Sequence, residues 1–292
     1  MHRQAVIFGS KGMLARALAA ELVSRGIDFV GLDLPECDLT RQTDVASVFG
    51  RIRPSVIFNC AAFTKVDACE QQVELANSVN GYAVGTLATM CREFDTALVH
   101  ISTDFVFSGN GQHPYQPTDT PAPVSAYGRS KLLGEQLLRE ANPQRWLIIR
   151  TAWLYGIGGP NFPRTMVEVA RQGKPLCVVN DQIGCPTYTE DLAQVMVDLT
   201  LARARGIFHC TNSGPTSWYD FAKAALETFD IPADLQPVST EQYLAMRPNQ
   251  ARRPAYSVLD CTSLHTALGR TMRPWQQTLA DYHRKVQDNG GF

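Results

Sequence analysis

The chain has 292 residues, enough for one large α/β domain or two modest ones, with 45% hydrophobic and 19% charged residues, the balance of an ordinary globular protein. A net charge of −1 with no basic tail or stripe leaves no nucleic-acid footprint. No run approaches the ~18 apolar residues of a membrane span, and Met1-His2-Arg3-Gln4 leads straight into Ala5-Val6-Ile7-Phe8 with no secretory h-region, so a cytoplasmic protein is expected.

In chain order, Ala5 to Phe8 reads as a buried strand, followed by a helix whose Leu14, Ala17, Leu18 and Leu22 share one face and which ends at Gly26. Further strands are expected at Phe29–Leu32, Ser55–Phe58 (entered through Pro54), Ala97–Ile101 and Trp146–Ile149. Strands apolar throughout and separated by helices imply a parallel, doubly wound Rossmann-type sheet covered on both faces. Such a sheet binds its ligand at the carboxyl ends of the strands. After Arg150 the pattern loosens, and Gly156 to Pro163 reads as a loop. Residues 1–153 are therefore expected to form the dinucleotide-binding domain and 154–292 mainly a smaller, interleaved substrate lobe, built around 155–200 and 230–292. A strand near 206–211 is expected to return to the sheet. Trp218 and Tyr219 open a helix capped by Thr216 or Ser217, and both aromatics read as core.

Eight cysteines are scattered without a Cys-x-x-Cys pair or a histidine-rich partner, so no metal is expected and the thiols read as small buried apolar groups. Gly9-Ser10-Lys11-Gly12-Met13-Leu14-Ala15 joins the first strand to the first helix. Glycines there let a pyrophosphate approach the free N–H groups of the helix start, and the small Ala15 keeps helix and sheet close. Asp33 ends the second strand, where a carboxylate suits a ribose 2′-hydroxyl and repels a 2′-phosphate. Lys11 argues the other way, so NADH and NADPH both stay open.

Tyr127 and Lys131 stand at i and i+4 of a helical stretch, on one face. A neighbouring ammonium stabilises a phenolate and lowers the phenol pKa, bringing the acid closer to working pH. A pair at this spacing also occurs on ordinary surface helices. Here it follows a fourth strand ending Ile101-Ser102-Thr103-Asp104, which sets the Thr103 hydroxyl where it can donate to a carbonyl oxygen beside Tyr127. His100 reads as a buried hydrogen-bonded residue, not a base.

These blocks, with Asn59 to Asp67, His100 to Gly109, Tyr127 to Glu135, Arg150 to Gly156 and Asp181 to Thr187, resemble the dTDP-4-dehydrorhamnose reductase family of extended short-chain dehydrogenase/reductases over most of the chain. The resemblance implies NAD(P)H-dependent reduction of the 4-keto group of a dTDP-linked 6-deoxysugar, most simply dTDP-4-dehydro-L-rhamnose, and allows a homodimer. It makes Thr103, Tyr127 and Lys131 the catalytic set: Thr103 binds the keto oxygen, Tyr127 protonates the alkoxide, and Lys131 holds the nicotinamide ribose. It assigns Gly9, Lys11, Gly12, Met13, Leu14, Asp33, Asp38, Leu39, Ala61, Ala62 and Thr64 to the cofactor. Val66, Asp104, Phe105 and Trp153 go to the sugar, and Arg253 to the diphosphate.

The chain also departs from the family. Phe105 stands where many members carry Tyr, and Pro117 and Ser125 replace Glu and Asn. Ala17 replaces an acid with which some members bind Mg²⁺. Rival readings are a sugar-nucleotide dehydratase or epimerase, and a regulatory subunit like the beta subunit of methionine adenosyltransferase. A dehydratase needs Glu after Asp104, and Phe105 breaks that pair.

Overall fold

The computed structural model describes residues 4–292. Met1, His2 and Arg3, and with them the start of the stretch read as lacking a leader, lie outside the described residues. In chain order the strands are β1 (Ala5–Phe8), β2 (Phe29–Leu32), β3 (Val56–Asn59), β4 (Ala97–Thr103), β5 (Trp146–Thr151), β6 (Leu154–Tyr155), β7 (Leu176–Val179), β8 (Ile183–Gly184), β9 (Thr187–Tyr188), β10 (Gly206–His209), β11 (Thr216–Ser217) and β12 (Leu235–Val238). The helices are α1 (Met13–Ser24), α2 (Gln42–Ile52), α3 (Val66–Gln71), α4 (Val73–Asn77), α5 (Ala83–Glu93), α6 (Ala126–Ala141), α7 (Phe162–Arg171), α8 (Thr189–Leu201), α9 (Trp218–Thr228), α10 (Thr240–Met246), α11 (Thr262–Leu268) and α12 (Trp275–Asp288).

Six strands pair in parallel in the order β10-β5-β4-β3-β1-β2, and successive side chains of each strand enter opposite cores. Ala5 and Ile7 pack with α1 and α8, whereas Val6 and Phe8 pack with α2 and α5. With both faces covered, every side chain of a four-residue strand such as β1 is buried. Each aliphatic contributes roughly 1.5–3 kcal/mol by leaving water, which holds short strands without an exposed face. The strand order reverses between β1 and β3, and there the carboxyl ends open a crevice.

Three local readings change. Ala17 packs on the core only half-buried, and Ala15 joins Leu14, Leu18 and Leu22 as a fully buried member of the apolar stripe of α1. The stretch read as a loop to Pro163 already contains the start of α7, because Asn161 caps it by accepting from the Arg164 N–H (3.0 Å) and Pro163 falls in the first turn, where its missing N–H costs nothing. Helix α8, expected in the lobe, buries Leu192, Val195 and Leu199 in the same core as Ile7 and Leu18. The smaller aromatic core joins Tyr155, Tyr188, Phe221 and Tyr282.

Candidate active site

The glycine turn folds as its residues require. Gly9 has φ +74°, and a Cβ there would lie 2.7 Å from the Ala61 backbone, so only glycine lets the ends of β1 and β3 meet. Helix α1 starts at Gly12 with no side-chain cap, which leaves its first N–H groups free at the crevice. The Asp33 carboxylate accepts from the Lys11 N–H (3.0 Å) and the Leu34 N–H (2.8 Å), tying the turn to the end of β2. The Lys11 ammonium donates to the Leu34 carbonyl and stands 3.8 Å from Glu36.

Two cavities share this turn. One, of about 280 Å³, is lined by Gly9, Gly12, Asp33, Asp38, Leu39, Ala61 and Ala62. The larger, of about 600 Å³, brings together Lys11, Gly12, Met13, Leu14, Ala61, Ala62, Thr64, Val66, Thr103, Asp104, Phe105, Tyr127, Lys131, Trp153 and Arg253. Every residue that the resemblance assigns to catalysis, cofactor or substrate therefore lines one cavity or both. A third, of about 290 Å³, shares Trp218 and Arg253 with the large one and is walled by Phe162, Val178, Tyr243 and Leu244. A separate apolar cavity of about 250 Å³ lies by Ile27, Ala97 and Trp146, at the strands' amino ends, and Arg145 and Arg203 are its only ionisable lining residues.

On the floor of the large cavity, β4 and α6 supply the polar groups. Ser125 caps α6 by accepting from the Gly128 N–H (3.1 Å), and Gly128 fits where a Cβ would strike the Phe105 carbonyl at 2.2 Å. This close packing sets Tyr127 against the end of β4, edge-on to Phe105 with ring centroids 5.6 Å apart. Lys131 is buried. Its ammonium donates to the Ile101 carbonyl (2.6 Å) and lies 3.2 Å from His100 Nε2. His100 is fully buried between Lys131 and the Asn59 amide (3.1 Å from Nδ1), and burial and the Lys131 charge push its pKa far down. It is a neutral, hydrogen-bonded residue, as its sequence position implies.

The electrostatics correct one expectation. Burial, reinforced by the Asp104 charge, pushes the Tyr127 phenol above its ordinary value, opposed by a hydrogen bond with Thr103. The Lys131 ammonium is turned to the backbone and His100 and does not lower it. Burial brings Lys131 itself down to about 8, opposed by the charge of Glu135. Asp104 is pushed up to about 6, again by burial. Thr103 Oγ1 accepts from the Phe105 N–H (3.2 Å) and donates to Asp104 Oδ1 (3.0 Å).

Sequence reasoning missed part of the cavity wall. Trp218, read as core, stacks on Trp153 with centroids 3.6 Å apart and faces two cavities. Trp153 holds φ +50°, an unfavourable conformation for a bulky residue. It is kept there by Trp218 and by Gly184, where a Cβ would meet the Trp153 ring at 2.7 Å. Gly158, Gly159 and Pro160 line the cavity beside the start of α1, with Gly159 packed on Met13. Arg253 pairs with Asp67 (3.2 Å), so it is a tethered cation and not a free surface charge. Among the described residues no group of three or more His, Cys, Asp or Glu is placed to hold a metal ion, all cysteines are unpaired and Cys177 is exposed, and no helix is long and apolar enough to cross a membrane.

A parallel sheet with a glycine turn at its switch point and Thr, Tyr and Lys at its carboxyl edge defines a Rossmann-type fold of the short-chain dehydrogenase/reductase class. Residues 3–288 match the family described as RmlD substrate binding domain, and the chain belongs to that family. It is 39% identical to the spore coat polysaccharide biosynthesis protein SpsK of Bacillus subtilis, over 95% of each chain. It is 38% identical to a dTDP-4-dehydrorhamnose reductase of Aggregatibacter actinomycetemcomitans, over 94% of this chain and 96% of that one. The solved dTDP-4-dehydrorhamnose reductase of Bacillus anthracis, in complex with NADP, superposes with a TM-score of 0.93 at 35% identity, covering 98% of this chain and all of that one. A UDP-glucose 4-epimerase of Thermus thermophilus, at 21% identity and a TM-score of 0.82, shares the fold.

Proposed function

We propose that this protein is an NAD(P)H-dependent reductase of the 4-keto group of a dTDP-linked 6-deoxysugar, most simply dTDP-4-dehydro-L-rhamnose. One observation carries the reading. Three cavities joined by shared lining residues run from Asp33 past Thr103, Tyr127 and Lys131 to Tyr243, the succession that a dinucleotide, a sugar and a second nucleotide would need. The named relatives supply the substrate class.

The residues fit a nicotinamide dinucleotide. Gly9 and the uncapped start of α1 make a cradle that a Cβ would fill, and the pyrophosphate would lie on those N–H groups. Asp33, Asp38 and Leu39 would receive the adenosine, and Ala61, Ala62 and Thr64 would flank the ribose and nicotinamide. When bound, the reduced nicotinamide supplies a hydride to the carbonyl carbon. Tyr127 then gives its phenolic proton to the carbonyl oxygen, whose C–O π pair has become the new lone pair. The raised phenol pKa suits this role, because the group stays protonated until an alkoxide forms beside it. Lys131 would hold the ribose hydroxyls, and the hydrogen bond with Thr103 favours the phenolate that remains. Thr103 would donate to the keto oxygen.

Val66, Phe105 and the Trp153–Trp218 stack would enclose the sugar. Phe105 offers an apolar edge where a tyrosine would offer a hydroxyl. Arg253, tethered by Asp67, would face the diphosphate, and the apolar cavity beyond Trp218 would take the base. The part of the chain up to 153 would serve the dinucleotide and most of 154–292 the sugar nucleotide, acting in the cytoplasm where reduced nicotinamide is available. The test is loss of reduced-nicotinamide absorbance with a panel of dTDP-4-keto-6-deoxysugars and both cofactors. Turnover with at least one pair is expected. Absence of turnover with all of them, alongside co-purification of a partner enzyme, would replace the reading with a regulatory one.

A further inference from the structure

Thr103 has one hydroxyl proton, and the reading above needs that proton at the keto oxygen. The structure spends it elsewhere: Oγ1 donates to Asp104 Oδ1 at 3.0 Å while accepting from the Phe105 N–H at 3.2 Å. A carboxylate only accepts hydrogen bonds, so an ionised Asp104 keeps the Thr103 proton turned away from the cavity. A protonated Asp104 reverses the bond. Its own O–H then donates to Thr103 Oγ1, and the threonine proton is released toward substrate.

We propose that Asp104 works as a neutral carboxylic acid, a positioning residue that sets the direction of the Thr103 hydroxyl and so switches its hydrogen bond on at the keto oxygen. The proposal rests on the reductase reading and assigns Asp104 to Thr103, where the sequence resemblance assigned it to the sugar.

The surroundings of Asp104 fit an acid that holds its proton. The residue is 2% exposed, and its Oδ2 makes no hydrogen bond. The ionisable groups facing it are the Tyr127 phenol from α6 and the Cys185 thiol from the turn after β8, both neutral at ordinary pH. The Ser257 hydroxyl from the C-terminal segment, Thr103 and the backbone N–H groups of Asp104 and Phe105 favour the charged form, and burial outweighs them. None of these neighbours is a cation that would hold a carboxylate there. Burial raises the group to about 6, and a sugar that displaces water from the cavity adds to that burial.

No covalent step is added. Asp104 keeps its proton through the turnover, and the proton consumed still leaves Tyr127.

The test is the pH dependence of kcat/KM for the keto-sugar at saturating NADPH, in the wild type and in Asp104→Asn. The amide keeps the shape of a neutral acid and can donate to Thr103 Oγ1. The wild-type rate is expected to fall about tenfold per pH unit once Asp104 ionises. Asp104→Asn is expected to stay level through the same window, within about threefold of the wild-type low-pH plateau. Thr103→Val, slower at every pH, is expected to lose the limb as well, because Asp104 then has nothing to direct.

An infrared difference spectrum of the holoenzyme, wild type minus Asp104→Asn, gives a readout without turnover, a protonated-carboxyl C=O band that disappears with the same midpoint. A wild-type profile that is flat while turnover is normal overturns the proposal alone. So does an Asp104→Asn enzyme that binds NADPH normally yet loses about a hundredfold at every pH. A wild type with no turnover at any pH overturns the reductase reading and this proposal with it.

Discussion

Two cations are buried within one turn of each other's partners along α6, and they are held in opposite ways. Arg150, on β5, is paired on both sides with Glu135 (2.9 and 2.7 Å), reaches the Pro117 carbonyl (3.4 Å) and lies over the Phe107 ring. Lys131 is equally buried but has no carboxylate in hydrogen-bonding contact, only the Ile101 carbonyl and His100. Glu135 is four residues along the helix and is spent on Arg150 and Ser102. The difference teaches which buried charge is structural. A fully paired cation holds β4, β5 and α6 together, whereas an underpaired one at a cavity floor is kept for something that binds there.

Substitutions can break this contrast. The largest effect is expected from the proton donor that Lys131 accompanies. Tyr127→Phe should lower kcat by roughly 10²–10⁴, the usual contribution of a positioned general acid, with NADPH affinity and melting temperature unchanged. Stopped-flow and calorimetry on one preparation check it, and a near-normal rate would falsify the assignment. Next, Arg150→Met leaves Glu135 buried without its cation and should cost about 3–5 kcal/mol of stability, read as a lower urea midpoint, while turnover per folded molecule is kept.

The same change at the other site should act in the reverse manner. Lys131→Met should leave the apo-protein as stable as the wild type or more so, yet weaken NADPH binding by roughly tenfold or more, about 1.4 kcal/mol. Equal destabilisation by the two methionines would erase the distinction.

The smallest effect is a pH dependence. Lys131 is held down to about 8 from an ordinary 10.5. Between those values the unfolded chain binds more protons than the native one, so native stability rises with pH. The penalty is fully present below about 8 and is relieved as pH climbs toward 10.5. Denaturation of the apo-protein across that window should show the rise in the wild type and not in Lys131→Met. Cofactor affinity should move the other way as the ammonium loses its proton.

Much of this was legible in the sequence because it is local. The six sheet strands each carry a short apolar run, the glycine turn adjoins its strand, and Tyr127 and Lys131 share one helix turn. Thr103 follows from its strand end. What the sequence hid depends on contacts between distant segments. Trp218 sits at helical spacing with Phe221 and Ala225 and so reads as core, but its partner Trp153 lies 65 residues earlier and exposes its other side to the cavity. The cavity wall at Gly158 to Pro160 shows only as a Gly- and Pro-rich loop. Helix α8 has the same apolar periodicity whether it covers the sheet or the lobe. The direction of the Tyr127 shift also escaped, because i,i+4 spacing puts Lys131 on the same face without saying where its ammonium points. His100 and Ile101, from another element, decide that.

The Trp153–Trp218 stack has an optical consequence. The protein has four tryptophans, and these two lie 3.6 Å apart at 13°, close enough for their electronic transitions to couple. Coupled indoles give a paired circular-dichroism band and self-quenched fluorescence that both depend on the mutual ring angle. A sugar nucleotide that enters between the two cavities must pass this pair, so its arrival can be followed without a label and without waiting for a hydride to move.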